Sequence, residues 1–166
     1  MKSELIERLI NLGKLLDFDV RTEVEASESA WVDIVWFDKR LPVGDRIGNM
    51  RYAPVLPVVA FEVELHTGLN AKHVKGSVSN LSNLNAELSV IVIGKGNLTD
   101  LQSQKAHKDD PPEKLKQILC DRVYRWVYAE GQPRGRVIVM FEDEVGRWDD
   151  RMQEIKSSAD APKLQS

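Results

Sequence analysis

Residues 57–94 hold the stretch that most narrows what this chain can fold into. "VVAFEVEL" (58–65) is a short apolar run, "HTGLN" supplies turn residues, and "AKHVKGSVSNLSNL" (71–84) places Val74, Val78 and Leu81 at helical spacing. "ELSVIVIG" (87–94) is then a second short run rich in β-branched residues and closed by glycine. A strand, a helix and a strand joined this closely predict a right-handed parallel crossover, and so a sheet that includes a parallel pair.

The rest of the chain fits around that unit. Leu5, Leu9, Leu12 and Leu16, with Ile6 and Leu15 beside them, define an amphipathic helix ending near Asp17. "FDVRTEVEA" alternates like a half-exposed strand, and "AWVDIVWFD" reads as a strand with Asp33 at its middle. Residues 38–57, with three prolines and two glycines, predict a long hairpin connection or flap. "NLTDLQSQKAHKDDPP" reads as a polar loop with room for one helical turn. Pro112 opens a helix whose stripe is Leu115, Ile118, Leu119, Val123, Trp126 and Val127. "RVIVMFED" is a last strand, 143–156 a terminal helix, and 157–166 a loose tail. The expected architecture is one α/β domain over residues 1–156, a mixed sheet with helices packed on it.

Composition narrows the function classes. The chain has 166 residues, 42% hydrophobic and 30% charged, with no apolar run of membrane-spanning length. Its N-terminus has acidic residues and a helical period where a secretory leader needs an unbroken apolar segment, so a cytoplasmic protein is expected. Cys120 is the only cysteine, which excludes an intrachain disulfide and a cysteine metal cluster. A net charge of −3 gives no overall attraction to nucleic acid or to an anionic membrane, so a polyanionic partner has to be met by local basic patches.

The acids in the strands are the exceptional feature. Side chains alternate along a strand, so Glu62 and Glu64 share one face while Phe61, Val63 and Leu65 take the other. Asp33 is likewise an acid inside an apolar strand. An unpaired buried carboxylate costs several kcal/mol or takes up a proton, so such groups require a cation, a partner or water. If the strands around 33 and 62 are neighbours, the three acids converge, and hard divalent cations such as Mg2+ favour oxygen ligands of this kind. The competing reading sets the acids at strand ends in water or paired with Arg and Lys.

"VDIVWFD", a loop, "VVAFEVELHTG" and "AKHVKGSVSNLSNL" together resemble the core of the PD-(D/E)XK nuclease superfamily, which includes restriction endonucleases and archaeal Holliday-junction resolvases. The resemblance covers roughly residues 4–94 and implies a core of helix, three strands, helix and strand. It implies that Asp33 and Glu62 bind Mg2+ or Mn2+ together with the Val63 carbonyl, and that the protein hydrolyses phosphodiester bonds in DNA. Glu64 stands where the family has its lysine. Some members carry a second Glu there, and others take the lysine from the following helix. Of Lys72 and Lys75, Lys75 is preferred because it lies at the flank of the buried stripe. The resemblance further suggests an acid from the first helix, Glu7 before Glu4. An alternative keeps the nuclease fold without catalysis, as a DNA-binding or protein-binding subunit, and the absent motif lysine favours it.

Other features carry less. His66 shares the face of Glu62 and Glu64, as a ligand, a phosphate contact or a polar strand-end residue. Lys39, Arg40, Arg46 and Arg51 offer phosphate contacts in the long loop against Asp38 and Asp45, with Lys72 beyond, and the loop reads equally as a solvated one. Tyr124, Trp126 and Tyr128 follow helical spacing and read as core or interface aromatics. "GKGN" (94–97) lacks the flanks of a phosphate-binding loop. Cutting both strands of a duplex needs two active sites, so a homodimer is expected.

Overall fold

The computed structural model describes residues 2–40, 56–65, 68–129 and 136–159. The chain order is α1 (Lys2–Leu15), β1 (Phe18–Ser27), β2 (Ala30–Asp38), β3 (Pro57–Glu64), α2 (Ala71–Leu84), β4 (Leu88–Ile93), α3 (Lys95–Ser103), α4 (Pro112–Ala129), β5 (Val137–Phe141) and α5 (Glu142–Ala159). The five strands form one open sheet in sequence order. β1, β2 and β3 pair antiparallel, and β3, β4 and β5 pair parallel, so α2 is the crossover that the strand, helix, strand pattern demanded.

Alternation along the strands divides the core between the two faces of the sheet. Ile34, Trp36, Phe61, Val63, Val90 and Val92 pack with Leu5, Leu9 and Leu12 of α1 and Val145 of α5. Val35, Phe37, Ala60, Ile91 and Ile93 pack with residues of α2, α3 and α4. Both faces are therefore covered, as a parallel pair requires. Asn70 sets the start of α2 by accepting hydrogen bonds from the Lys72 and His73 amides, and Asn85 ends it in the left-handed region at φ 55°.

Three boundaries depart from expectation. Residues 95–103, read as loop, form α3. Its sequence is polar, but Leu101 is buried in the core beneath it and Leu98 packs against that core, so tertiary packing overrides weak periodicity. The first helix stops at Leu15 rather than Asp17, whose φ of 66° is incompatible with a continuing helix. At the other end α5 continues past residue 156 to Ala159. No helix among the described residues is long and apolar enough to cross a membrane.

Gly13 shows how closely α1 lies on the sheet. A Cβ there would sit 2.6 Å from both Trp36 Nε1 and Val20 Cγ2. Alanine is the better helix former by about 1 kcal/mol, yet Gly13→Ala is expected to destabilise by roughly 1–3 kcal/mol through overpacking. Urea denaturation reads the difference, and a stabilised variant would show that α1 can lift away freely.

Candidate active site at the end of the β2–β3 ladder

Ile34 pairs with Phe61 and Val35 with Ala60, so continuing that register sets Asp33 opposite Glu62. At that point the side chain of Asp33 takes over from the backbone: its Oδ2 accepts the Val63 amide hydrogen at 2.8 Å. On the far side, Thr22 pairs with Ile34 and Val24 with Val32, which sets Glu23 opposite Asp33. Glu23 has φ 49°, a left-handed kink that distorts the edge strand there. The paired residues stop at Ile34 and Phe61 and skip Glu23, so Glu23 and Asp33 come together as neighbours in the wall of one cavity, with Glu62 on the next strand.

Helix α2 holds the acids of β3 from above. Glu62 is only 8% exposed, and its Oε1 accepts from Asn80 Nδ2 at 3.0 Å. The same Asn80 nitrogen reaches the Trp31 carbonyl at 3.0 Å and so ties β2 to β3 where their ladder ends. One turn earlier, Ser77 Oγ donates to Glu64 Oε1 at 2.5 Å. Ser77 and Asn80 are three apart on a helix, Glu62 and Glu64 two apart on a strand, and both pairs therefore present one face to the other. The same-face reading of Glu62 and Glu64 is what the structure has.

A second clamp fixes the end of β3. Asn97, 2% exposed, donates to the Glu64 carbonyl at 3.0 Å and accepts from the Leu69 amide at 3.2 Å. The Gly94 amide also donates to the Glu64 carbonyl, at 3.0 Å. The "GKGN" segment that resembles no phosphate loop is thus a structural staple behind the acids.

The remaining expected residues lie in different places. Lys75 and Lys72 are exposed on α2. At 100° per residue, Lys75 leaves the helix about 160° from Ser77 and about 140° from Asn80, on the flank away from the acids. The preferred substitute for the motif lysine therefore starts on the wrong side. His73 lies within about 40° of both Ser77 and Asn80 and is exposed on the acid-facing side. Glu4 and Glu7 are exposed on α1, which packs on the opposite face of the sheet from Glu62 and Glu64. Arg46, Arg51 and His66 fall outside the described residues.

Lys39 and Arg40 sit just past the end of β2 at Asp38, six and seven residues from Asp33, or roughly 20 Å at the rise of a strand. Both are engaged: Lys39 Nζ lies 2.5 Å from Asp17 Oδ1, and Arg40 Nη2 lies 2.5 Å from Asp38 Oδ2. The Arg40 guanidinium and then the Arg40 amide hold the Asp38 carboxyl at about 2, against an ordinary 3.8. A lowered folded value contributes stability above the unfolded value that disappears as pH falls from about 4 to about 2. Asp38→Asn is therefore expected to lower the melting temperature slightly at pH 7 and not at all at pH 2, the pair being exposed. An equal difference at both pH values would rule out the charge interaction.

The donor set suits a hard divalent cation. Among the described residues no three or more His, Cys, Asp or Glu side chains form a metal-binding group. Mg2+ does not require one: it commonly takes one or two carboxylates and fills its remaining positions with water and substrate phosphate. Asp33 and Glu62 lie on adjacent strands, with Asp33 accepting from the Val63 amide and Glu62 from Asn80. Compared with known proteins, the chain matches no family model, no curated protein and no solved structure. The architecture is an α/β fold with an open mixed sheet flanked by helices, compatible with a PD-(D/E)XK-like core and not specific to it.

Proposed function

We propose that this protein is a divalent-metal-dependent DNA endonuclease whose metal-holding residues are Asp33 and Glu62. The observation that carries the reading is that Asp33 accepts the Val63 amide from the neighbouring strand, which brings a partly buried carboxylate against the residue that follows the buried Glu62. Asp33, Glu62 and the Val63 carbonyl would hold Mg2+ or Mn2+. When bound, the ion would neutralise charge on the phosphodiester and make a water more acidic.

The chain's own residues supply the rest. Glu64, oriented by Ser77, would accept the proton of the attacking water. His73, one turn from Ser77 on the same side, would offer a ring N–H to a phosphate oxygen where the motif lysine is missing. Asn80 keeps Glu62 aimed and couples it to β2. Cleavage of both strands of a duplex would require two copies, so a homodimer is part of the proposal, checked by sedimentation at working concentration.

The departure at Glu64 and the placement of Lys75 favour a second reading, a nuclease fold that binds DNA or a protein without cutting. Calorimetric titration with Mn2+ tests the metal site directly. Binding that disappears in Asp33→Asn and Glu62→Gln supports the enzyme, and absence of binding in the parent leaves the inactive subunit.

A further inference from the structure

Trp31 has no role in the site described so far, and it is 53% exposed immediately beside it. Large aromatic side chains on a strand next to a buried acid are ordinarily covered. An open cavity of about 350 Å3 is lined by Trp31, Glu23, Val32 and Asp33, so the indole and the candidate metal-holding carboxylate border the same depression. A second cavity, about 550 Å3, also has Trp31 and Glu23 in its wall, with Lys14 and Arg21 among its other lining residues. That second cavity also includes Glu25, and its Arg21 is paired with Asp19 at 3.1 Å, so its two cations are balanced by two acids. The backbone of Trp31 is fixed by the Asn80 amide that also holds Glu62.

We infer that Trp31 is a stacking platform for an unpaired nucleobase, and that the substrate is nucleic acid that is single-stranded or locally unpaired at the cutting site. This deepens the proposed function and rests on it. Stacking on an aromatic side chain needs a base that has left its duplex, because a paired base offers only its edge. The charge distribution gives the same polarity. Glu23 repels phosphate but accepts a hydrogen bond from an exocyclic amino group on a base. The scissile phosphate belongs at Asp33 and Glu62, and the next phosphate along the strand belongs beside Lys14, Arg21 being held by Asp19. A partner protein would use an exposed tryptophan as well, but it would not require Asp33 in the same cavity.

The test uses Trp31→Ala and Trp31→Phe in the full chain, with binding measured in Ca2+ and cutting in Mg2+. The probes are a fully paired duplex, the same duplex with an unpaired internal loop, a single strand, and the looped duplex with abasic sites in the loop. The parent is expected to prefer the loop over the paired duplex, and Trp31→Ala to lose roughly five- to a hundred-fold in affinity for the loop and single strand. Trp31→Phe should retain most of that affinity, and the abasic probe should be insensitive to both changes. Lys14→Ala should lower the salt dependence of binding by about one counterion. Circular dichroism melting shows whether each variant is folded, and the Phe variant decides the matter if Ala unfolds.

Equal affinities of parent and variants for the loop, with cutting intact, would overturn the stacking role and leave the nuclease reading standing. Absence of binding and cutting on every probe would overturn both. Loss of a protein contact in Trp31→Ala with nucleic-acid affinity unchanged would assign the residue to a protein interface instead.

Discussion

Asp33→Asn and Glu62→Gln are each expected to reduce Mg2+-dependent cleavage of plasmid DNA by about a hundredfold or more, because on the proposed function each removes a charged metal ligand while leaving the fold intact. The amide variants are the informative ones. Asparagine at 33 still presents an oxygen to the Val63 amide, which Asp33 now accepts at 2.8 Å. Glutamine at 62 still bonds Asn80 after a flip of its amide. Structural contacts therefore survive and only charge is lost. Asp33→Ala, in contrast, also leaves the Val63 amide without its acceptor and is expected to cost about 1–3 kcal/mol of stability. Full cutting by Asp33→Asn would show that residue 33 only caps the strand end. Inactivity of the parent in both Mg2+ and Mn2+ would move the assignment to the non-catalytic reading.

Most of the fold was legible in the sequence because its elements follow strong periods. The crossover around α2, the alternation of β1 and the stripe of α4 all bury residues at regular spacing, and those spacings survive without knowledge of partners. Helix α3 was not legible, since Leu98 and Leu101 are its only apolar residues and its other buried position is the polar Asn97. In the site, the shared face of Glu62 and Glu64 follows from strand geometry alone. Their partners do not: Ser77, Asn80 and Asn97 are small polar residues whose importance comes from what they meet across the fold. Lys75 was chosen from its nearness to the buried stripe, but the acids lie beneath the other flank of the helix, and only the helix–sheet docking distinguishes the two flanks. Glu23 gave no signal because its place beside Asp33 in one cavity wall depends on how β1 and β2 pair.

Trp36→Ala is expected to destabilise the protein by about 3–5 kcal/mol, a large part of the stability typical of a domain. Trp36 is 1% exposed on the face of β2 opposite α2, with Phe18, Phe61 and Trp148 rings 4.7–5.7 Å from its own. Truncation empties the layer between α1, α5 and the sheet, and α1 cannot settle into the gap without breaking its own contacts with β1. Trp36→Phe should behave differently. The indole Nε1 is buried without a hydrogen-bond partner, and an orphaned donor costs about 1–3 kcal/mol. Phenylalanine removes that penalty while giving up part of the ring volume. The two effects oppose each other, so the phenylalanine variant should lie within about 1–2 kcal/mol of the parent. Urea midpoints for the two variants separate the terms. A phenylalanine variant as unstable as the alanine one would mean that the six-membered ring cannot fill the site and that shape outweighs the orphaned N–H. An alanine variant within 1 kcal/mol of the parent would mean that α1 collapses onto the sheet after all, contrary to the close docking at Gly13.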